Sequence, residues 1–499
     1  MFVGVDIGTQ SLKAVVCDGG LAVIGSASVA PTNRSFRSPT TRARPPTTTP
    51  IDGIATSSNA CRRFIDEPMD GILDRLLSGE LADIDGGAPL SVPTRAVVIE
   101  RSLAGAEAEL LRGLELGDRL AVVSDPTTRD VLGERVERAI DSFAVPISII
   151  PPDRPHADAA TAAVIAEATR DADALIAVGS GTINDLCKFV SAKADKPYAV
   201  FATAPSMNGY SSVNAAITEH GHKKSLAAQG AAGVFIDLEI FAAAPHRMIR
   251  AGFGDSLCRP TAQTDWLLAH HALGRPYRHA PFALLAEDEA SLFAEPEGLL
   301  RGDLDAMARL ARTLTMSGFG MTICGGSYPA SQGEHLIGHY IDMLGDPAWP
   351  AAFHGERIAV TTLTMARLQE DIVSRPAPTL RPSSLGPADF DARFGSETGT
   401  SCWAEFSKKQ LDAPAVEALN ARLAAAWPAI TREVERIAIP AARLRDALKK
   451  IGGPTECADL GIPADFYRAA VIHAREIRDR YTFLDLAADS GRFDGAFNP

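Results

Sequence analysis

From Arg95 onward, short apolar runs rich in β-branched residues alternate with stretches whose apolar positions recur at helical spacing. The runs are AVVI (96–99), LAVVS (120–124), ISII (147–150), ALIAV (174–178), YAVFA (198–202) and VFI (234–236). Between them AGAEAELLRGLEL, TTRDVLGERVERAI and ADAATAAVIAEATRDA predict helices. Strand and helix in alternation predict an α/β fold, a parallel sheet covered on both faces, with ligands bound at the carboxyl ends of its strands. After about Pro245 the strand signal fades. DLDAMARLARTLTMSGF, VEALNARLAAAWPAITREVERIA and AAVIHAREIRDRYTFLDLA predict an all-helical C-terminal half.

The N-terminus reads differently. Residues 31–50 hold five Pro, six Thr and four Arg with no acid and one large apolar residue, so little offsets the entropy of ordering them. A disordered linker over residues 31–65 is expected. It separates a short block, residues 1–30, from a domain over 66–245 and another over 246–499.

Composition narrows the function. The 499 residues are 46% hydrophobic and 22% charged, with a net charge of −13 spread along the chain. That balance argues against nucleic acid or anionic membrane as a partner and for small-molecule chemistry. No apolar run approaches the roughly 20 residues of a membrane helix, and Asp6 interrupts the N-terminal apolar stretch, so a cytoplasmic protein is expected. The seven cysteines form no CxxC pair and read as small buried hydrophobes.

Three segments carry candidate chemistry. Strand ALIAV runs into Gly179, Ser180, Gly181, Thr182, Ile183, Asn184 and Asp185, where missing side chains and helix N–H groups suit a phosphate. A glycine turn required only by the chain path would look the same. Asp125, ending LAVVS, could bind a ribose diol and favour NAD over NADP, or could simply cap the next helix. Thr203 to Ser212, after the next strand, is a small polar loop suited to lining a ligand. In the helical half, AGFGD ends at Asp255, GEHLIGHY carries His335 and His339 on one helix face, and FHGE carries His354. One carboxylate and two imidazoles form a plausible shell for Zn²⁺, Ni²⁺ or Fe²⁺ with open positions for substrate.

In order and spacing, GSGTINDLCKFV, TAPSMNGYSS, AGFGD, GEHLIGHY and FHGE resemble the successive motifs of the glycerol-1-phosphate dehydrogenase branch of the iron-containing alcohol dehydrogenase and dehydroquinate synthase-like superfamily. The resemblance spans about residues 70–490. It implies a Rossmann-like dinucleotide-binding domain, a helical metal-binding domain and an active site between them. It also implies that Gly181, Thr182, Ile183, Asn184, Asp185, Thr203, Ser206 and Ser212 line NAD or NADP. By the same resemblance Asp255, His335 and His354 hold one divalent metal, while His339 and Asn208 face the substrate. The expected reaction interconverts a polyol phosphate and its ketone, and the expected partners are that small phosphorylated substrate and further copies of the chain. Two positions depart from the pattern. Asn208 stands where the family has Asp, and an amide accepts a hydrogen bond but takes no proton. That leaves a water or His339 to carry the proton, a different substrate, or a lower activity. The usual glycine triplet is Gly-Ser-Gly.

Residues 2–17, FVGVDIGTQSLKAVVC, resemble the opening of the FGGY carbohydrate kinases, with Asp6, Gly8 and Thr9 at the phosphate-approaching turn. The later kinase motifs are absent in register, so a kinase reading rests on this block alone. Two rivals stay closer to the dehydrogenase motifs. One is a dehydroquinate synthase-like lyase, whose pocket needs basic residues near the metal, where only Arg259 and Arg357 lie close in sequence. The second is a non-catalytic NAD-binding relative.

Overall fold

The computed structural model describes residues 71–149, 155–219 and 222–494, together with three strands near the N-terminus. Those strands, β1 (Phe2–Ile7), β2 (Leu12–Cys17) and β3 (Val23–Val29), form an antiparallel sheet by themselves. The kinase-like turn at Gly8 and Thr9 and the expected linker over 31–65 lie outside the described residues.

The six apolar runs all form strands: β4 (Ala96–Glu100), β5 (Arg119–Val123), β6 (Val145–Ile149), β7 (Ala174–Gly179), β8 (Tyr198–Ala202) and β11 (Gly233–Asp237). They make one parallel sheet in the order β4-β11-β8-β7-β5-β6. Its inner strands are apolar along nearly their whole length because both faces are covered, the charged Arg119 and Asp237 standing at the start of β5 and the end of β11. Leu175 and Ala177 of β7 pack into one core, whereas Ala174, Ile176 and Val178 pack into another on the opposite face.

The hydrophobic pattern gives no sign of the antiparallel hairpin β9 (Asn214–Glu219) and β10 (His222–Ala227). Its second strand reads HKKSLA, too polar to signal a buried strand. Its tertiary role is to carry Lys223 to the functional cleft.

No strand follows Asp237 among the described residues. The helices that matter for function are α1 (Gly181–Ala194), α2 (His246–Ser256), α3 (Arg259–Leu273), α4 (Leu304–Ile323), α5 (Gly333–Leu344), α6 (His354–Val373), α7 (Ala413–Ile437), α8 (Ala464–His473) and α9 (Phe483–Asp489). The core beneath the sheet continues through Ile249, Phe253 and Leu257 into Leu310 and Leu314 of α4. The change near residue 245 is therefore one of architecture, not a break in packing. A separate core joins α3, α5, α7, α8 and α9. None of the described helices is long and apolar enough to cross a membrane.

The stretch AAVIHAREIRDRYTFLDLA is not one helix. A turn of 3₁₀ helix over Ala474–Ile477 ends at Arg478, whose backbone is extended (φ −150°, ψ 166°), and α9 restarts behind a reciprocal Thr482–Asp485 cap. Charge enforces the break: Arg475 meets Asp489 at 2.6 Å and Lys409 meets Asp485 at 2.9 Å, all with nearly buried side chains. A continuous helix would scatter these groups and strand them as unpaired buried charges.

Candidate active site

Glycine lets three segments approach closely enough to build the site. A Cβ on Gly252 of α2 would sit 1.6 Å from the Pro205 carbonyl oxygen, and one on Gly355 of α6 would sit 1.8 Å from the Ala251 carbonyl oxygen. Only hydrogen fits at either position, so AGFGD and HGE are packing motifs as much as chemical ones. Helix α2 is thereby pressed against both the 203–209 loop and the N-terminus of α6. Asp255, on the last turn of α2, faces His354, the first residue of α6.

The structure brings Asp255, His335 and His354 together. Their ligand atoms all lie within 4.8 Å of one another, and each imidazole Nε2 is 3.7 Å from Asp255 Oδ1. A tetrahedral zinc ion about 2.1 Å from each donor would hold donors about 3.4 Å apart, so the trio has the span of a cation site. Asp255 Oδ1 is buried and has no hydrogen-bond partner, whereas Oδ2 accepts the Asn208 backbone N–H at 2.9 Å. An unpartnered buried carboxylate oxygen beside two imidazoles is the donor set that a divalent cation satisfies. His335 Nδ1 lies 3.0 Å from Glu334 Oε1, an outer carboxylate that turns Nε2 towards Asp255. Glu334 is itself fixed by the Gln332 N–H and the Thr261 hydroxyl.

Burial pushes the Asp255 carboxyl up to about 6, against the opposing pull of His335 and the Asn208 N–H. Burial also drives His354 well below its usual value, helped by the charges of His335 and Lys223, so its imidazole stays neutral and able to ligate. Below about pH 6 metal binding must then displace a proton from Asp255. Zn²⁺ affinity is expected to be level above neutrality and to weaken by at least about tenfold per pH unit below 6, measured by competition titration. A profile flat down to pH 5 would exclude Asp255 as a ligand.

His335 and His354 line a cleft of about 260 Å³ between the sheet's carboxyl edge and the helices, with Asp255 fully buried behind them. Ser180, Gly181, Thr182 and Asp185 line one wall, with Ser206, Asn208 and Ser212 beside them, so the glycine turn and the two imidazoles share one space. Gly179 is set back: its missing Cβ leaves room for Ile183, which is buried. Asn184 is buried and donates to Asp185, and Thr203 binds the Gly179 carbonyl through its N–H. Asp185 Oδ2 accepts the Ala216 N–H, and Lys188 Nζ, wholly buried, donates to Gly209 O, Ser212 Oγ and Asn214 O. This cation ties the cofactor-side helix to the loop bearing Asn208. Asp125 stands apart from the cleft: its Oδ1 accepts the Thr128 N–H in a reciprocal cap.

His339 lines the cleft but lies outside the cation trio, its ring 6.0 Å from that of His354. Its Nδ1 is buried without a hydrogen bond. The Asn208 side chain is nearly buried on the same wall, with Nδ2 unpartnered. Neither basic residue singled out by sequence proximity lines the cleft: Arg259 is held by Glu289 at 2.6 Å, and Arg357 by Asp342 at 2.6 Å. Those that do are Lys223 and Arg478. Sequence reasoning missed both, along with Glu334. Only the position of Glu334 next to His335 could have been noticed, since Lys223 and Arg478 arrive from elements far from the motifs.

This fold and site define the class to which the comparisons point. The family described as iron-containing alcohol dehydrogenase matches residues 98–245. Glycerol-1-phosphate dehydrogenase [NAD(P)+] of Thermococcus kodakarensis is 32% identical over 276 residues, 55% of this chain and 77% of that protein. Its namesake from Bacillus subtilis is 28% identical over 373 residues, 73% of this chain and 84% of that one. Among solved structures, a probable glycerol dehydrogenase from Sinorhizobium meliloti shares the fold with a TM-score of 0.53 at 19% identity, over 81% of this chain and 98% of that one. The chain belongs to the glycerol-1-phosphate dehydrogenase family of the iron-containing alcohol dehydrogenases.

Proposed function

We propose that the protein is an NAD(P)-linked, metal-dependent dehydrogenase that interconverts a polyol phosphate, glycerol 1-phosphate in the first instance, with its ketone. The observation that carries this reading is the meeting of Asp255 with His335 and His354, two imidazoles that line the same cleft as the Ser180–Thr182 turn. Asp255, His335 and His354 would hold the cation, which supplies Lewis-acid polarisation of the carbonyl oxygen. A bound nicotinamide would supply hydride chemistry, and Ser180, Gly181 and Thr182, which line the same cleft, would receive the cofactor's phosphates. His339 is the group on this wall able to pass a proton: burial drives its ring well below the usual histidine value, so it enters the reaction as a neutral imidazole. Asn208 holds Asp255 through its backbone and offers an amide, not a base, to the substrate.

The test is oxidation of sn-glycerol 1-phosphate, and reduction of dihydroxyacetone phosphate, followed at the nicotinamide absorbance after loading with Zn²⁺, Ni²⁺ or Fe²⁺. Activity untouched by chelation and dialysis would overturn the metal reading. Asn208→Asp restores an ionisable group beside Asp255 and is expected to raise kcat about tenfold or more. An unchanged or lower kcat would make the amide the working residue.

A further inference from the structure

Two cations line the cleft, and they are not equivalent. Lys223 Nζ is neutralised by Asp342 Oδ2 at 2.8 Å, and the other oxygen of that carboxylate is taken by Arg357. Arg478 has neither a carboxylate within 4 Å nor a side-chain hydrogen bond among the described residues. Asp479 and Glu405 act on it only from longer range, and the charge of Arg480 opposes them. Burial lowers the Arg478 guanidinium to about 9, which still leaves it charged at neutral pH. A half-buried guanidinium that lines a ligand cleft without a counter-ion is open to an anion on its cleft side. Its planar fork suits two oxygens of one phosphate better than a point charge does.

A second donor stands beside it. Ser327, also on the cleft wall, accepts a hydrogen bond at 2.7 Å from Arg480 Nη2, and the Arg480 guanidinium rests 5.0 Å from the Tyr328 ring centroid. With its oxygen engaged as acceptor, the Ser327 hydroxyl is left to donate its proton. The broken helix is what makes this possible, because the extended backbone at Arg478 turns a would-be helix surface into cleft wall.

We propose that Arg478 and Ser327 form the subsite for the phosphate of the substrate, with Arg480 orienting the serine. The proposal rests on the polyol-phosphate reading above. It assigns the two phosphate-bearing ligands to different walls, the dinucleotide to the Ser180–Thr182 turn and the substrate to Arg478.

The test has two arms on the full-length protein. In the first, calorimetric titration with inorganic phosphate needs no turnover. Binding to the wild type is expected to weaken at least tenfold in Arg478→Gln and about threefold in Ser327→Ala, with partial recovery in Arg478→Lys. Wild type that binds no phosphate, or a folded Arg478→Gln variant that binds it equally well, overturns the subsite. In the second arm, Arg478→Gln is expected to raise the KM for glycerol 1-phosphate at least tenfold while leaving the KM for NAD(P) within twofold. A raised KM for NAD(P) with that for glycerol 1-phosphate unchanged would assign Arg478 to the cofactor and overturn the proposal. Phosphate binding that depends on Arg478 in a protein without dehydrogenase activity would refute the proposed function and uphold the anion site.

Discussion

Replacing His335 by alanine is expected to remove both the bound metal and about a thousandfold of kcat/KM. The imidazole is one of three donors, and its Nε2 is held 3.7 Å from Asp255 Oδ1 by the contact between Nδ1 and Glu334. Without it two donors remain, too few to hold a cation with its open positions in order. Lewis-acid polarisation is worth several kcal/mol at the transition state, and each ~1.4 kcal/mol is a factor of ten in rate. Metal content by mass spectrometry and turnover measured on the same preparation check the two losses together. Two companion variants separate ligation from its supports. Glu334→Gln should weaken metal binding about 10- to 100-fold while leaving the site assembled. His339→Ala should keep the metal and lose turnover, because its ring lies beside the trio without joining it. A His335→Ala protein with full metal content and full turnover would refute the site.

Gly252→Ala is expected to be the most damaging glycine-to-alanine change among the described residues. The added carbon would lie 1.6 Å from the Pro205 carbonyl oxygen, and backbone cannot swing aside as a side-chain tip can. Overpacking commonly costs about 1–3 kcal/mol, and a clash this short with main chain places the cost at about 3 kcal/mol or beyond. Relief requires α2 to retreat from the 203–209 loop, which lengthens the bond between the Asn208 N–H and Asp255 Oδ2 and moves a metal ligand. Loss of stability and loss of metal affinity should therefore appear together, in thermal melts with and without Zn²⁺. Gly386→Ala is the control. A Cβ there meets nothing within 4 Å, so the melt should move by no more than about 0.5 kcal/mol. Equal melting of both variants would contradict the close approach of α2.

The architecture is legible in the sequence where periodicity is strong. Strand β8 falls on the run YAVFA, and β7 extends ALIAV by one residue, because strands buried on both faces are apolar throughout. The β9–β10 hairpin is hidden for the opposite reason, since its second strand is polar. AAVIHAREIRDRYTFLDLA reads as one helix because its amphipathic spacing conceals a break that distant charges impose: Lys409, Asp485, Arg475 and Asp489 need one another more than the helix needs continuity. Asp125 has two readings in sequence, and the geometry shows its carboxylate capping a helix.

By itself the sequence determined the sheet, the helical half, the glycine turn and the identity of a carboxylate and two imidazoles able to bind a cation. These follow from local periodicity and side-chain chemistry, which a linear string contains. Only the tertiary structure decided that α2 and α6 approach through Gly252 and Gly355 until Asp255 and His354 can share an ion. It likewise decided that Glu334 aims His335, and that Arg478 lines the cleft with no near counter-ion among the described residues. The physical reason is that desolvation and charge pairing depend on distances across the fold, and sequence separation carries no record of them.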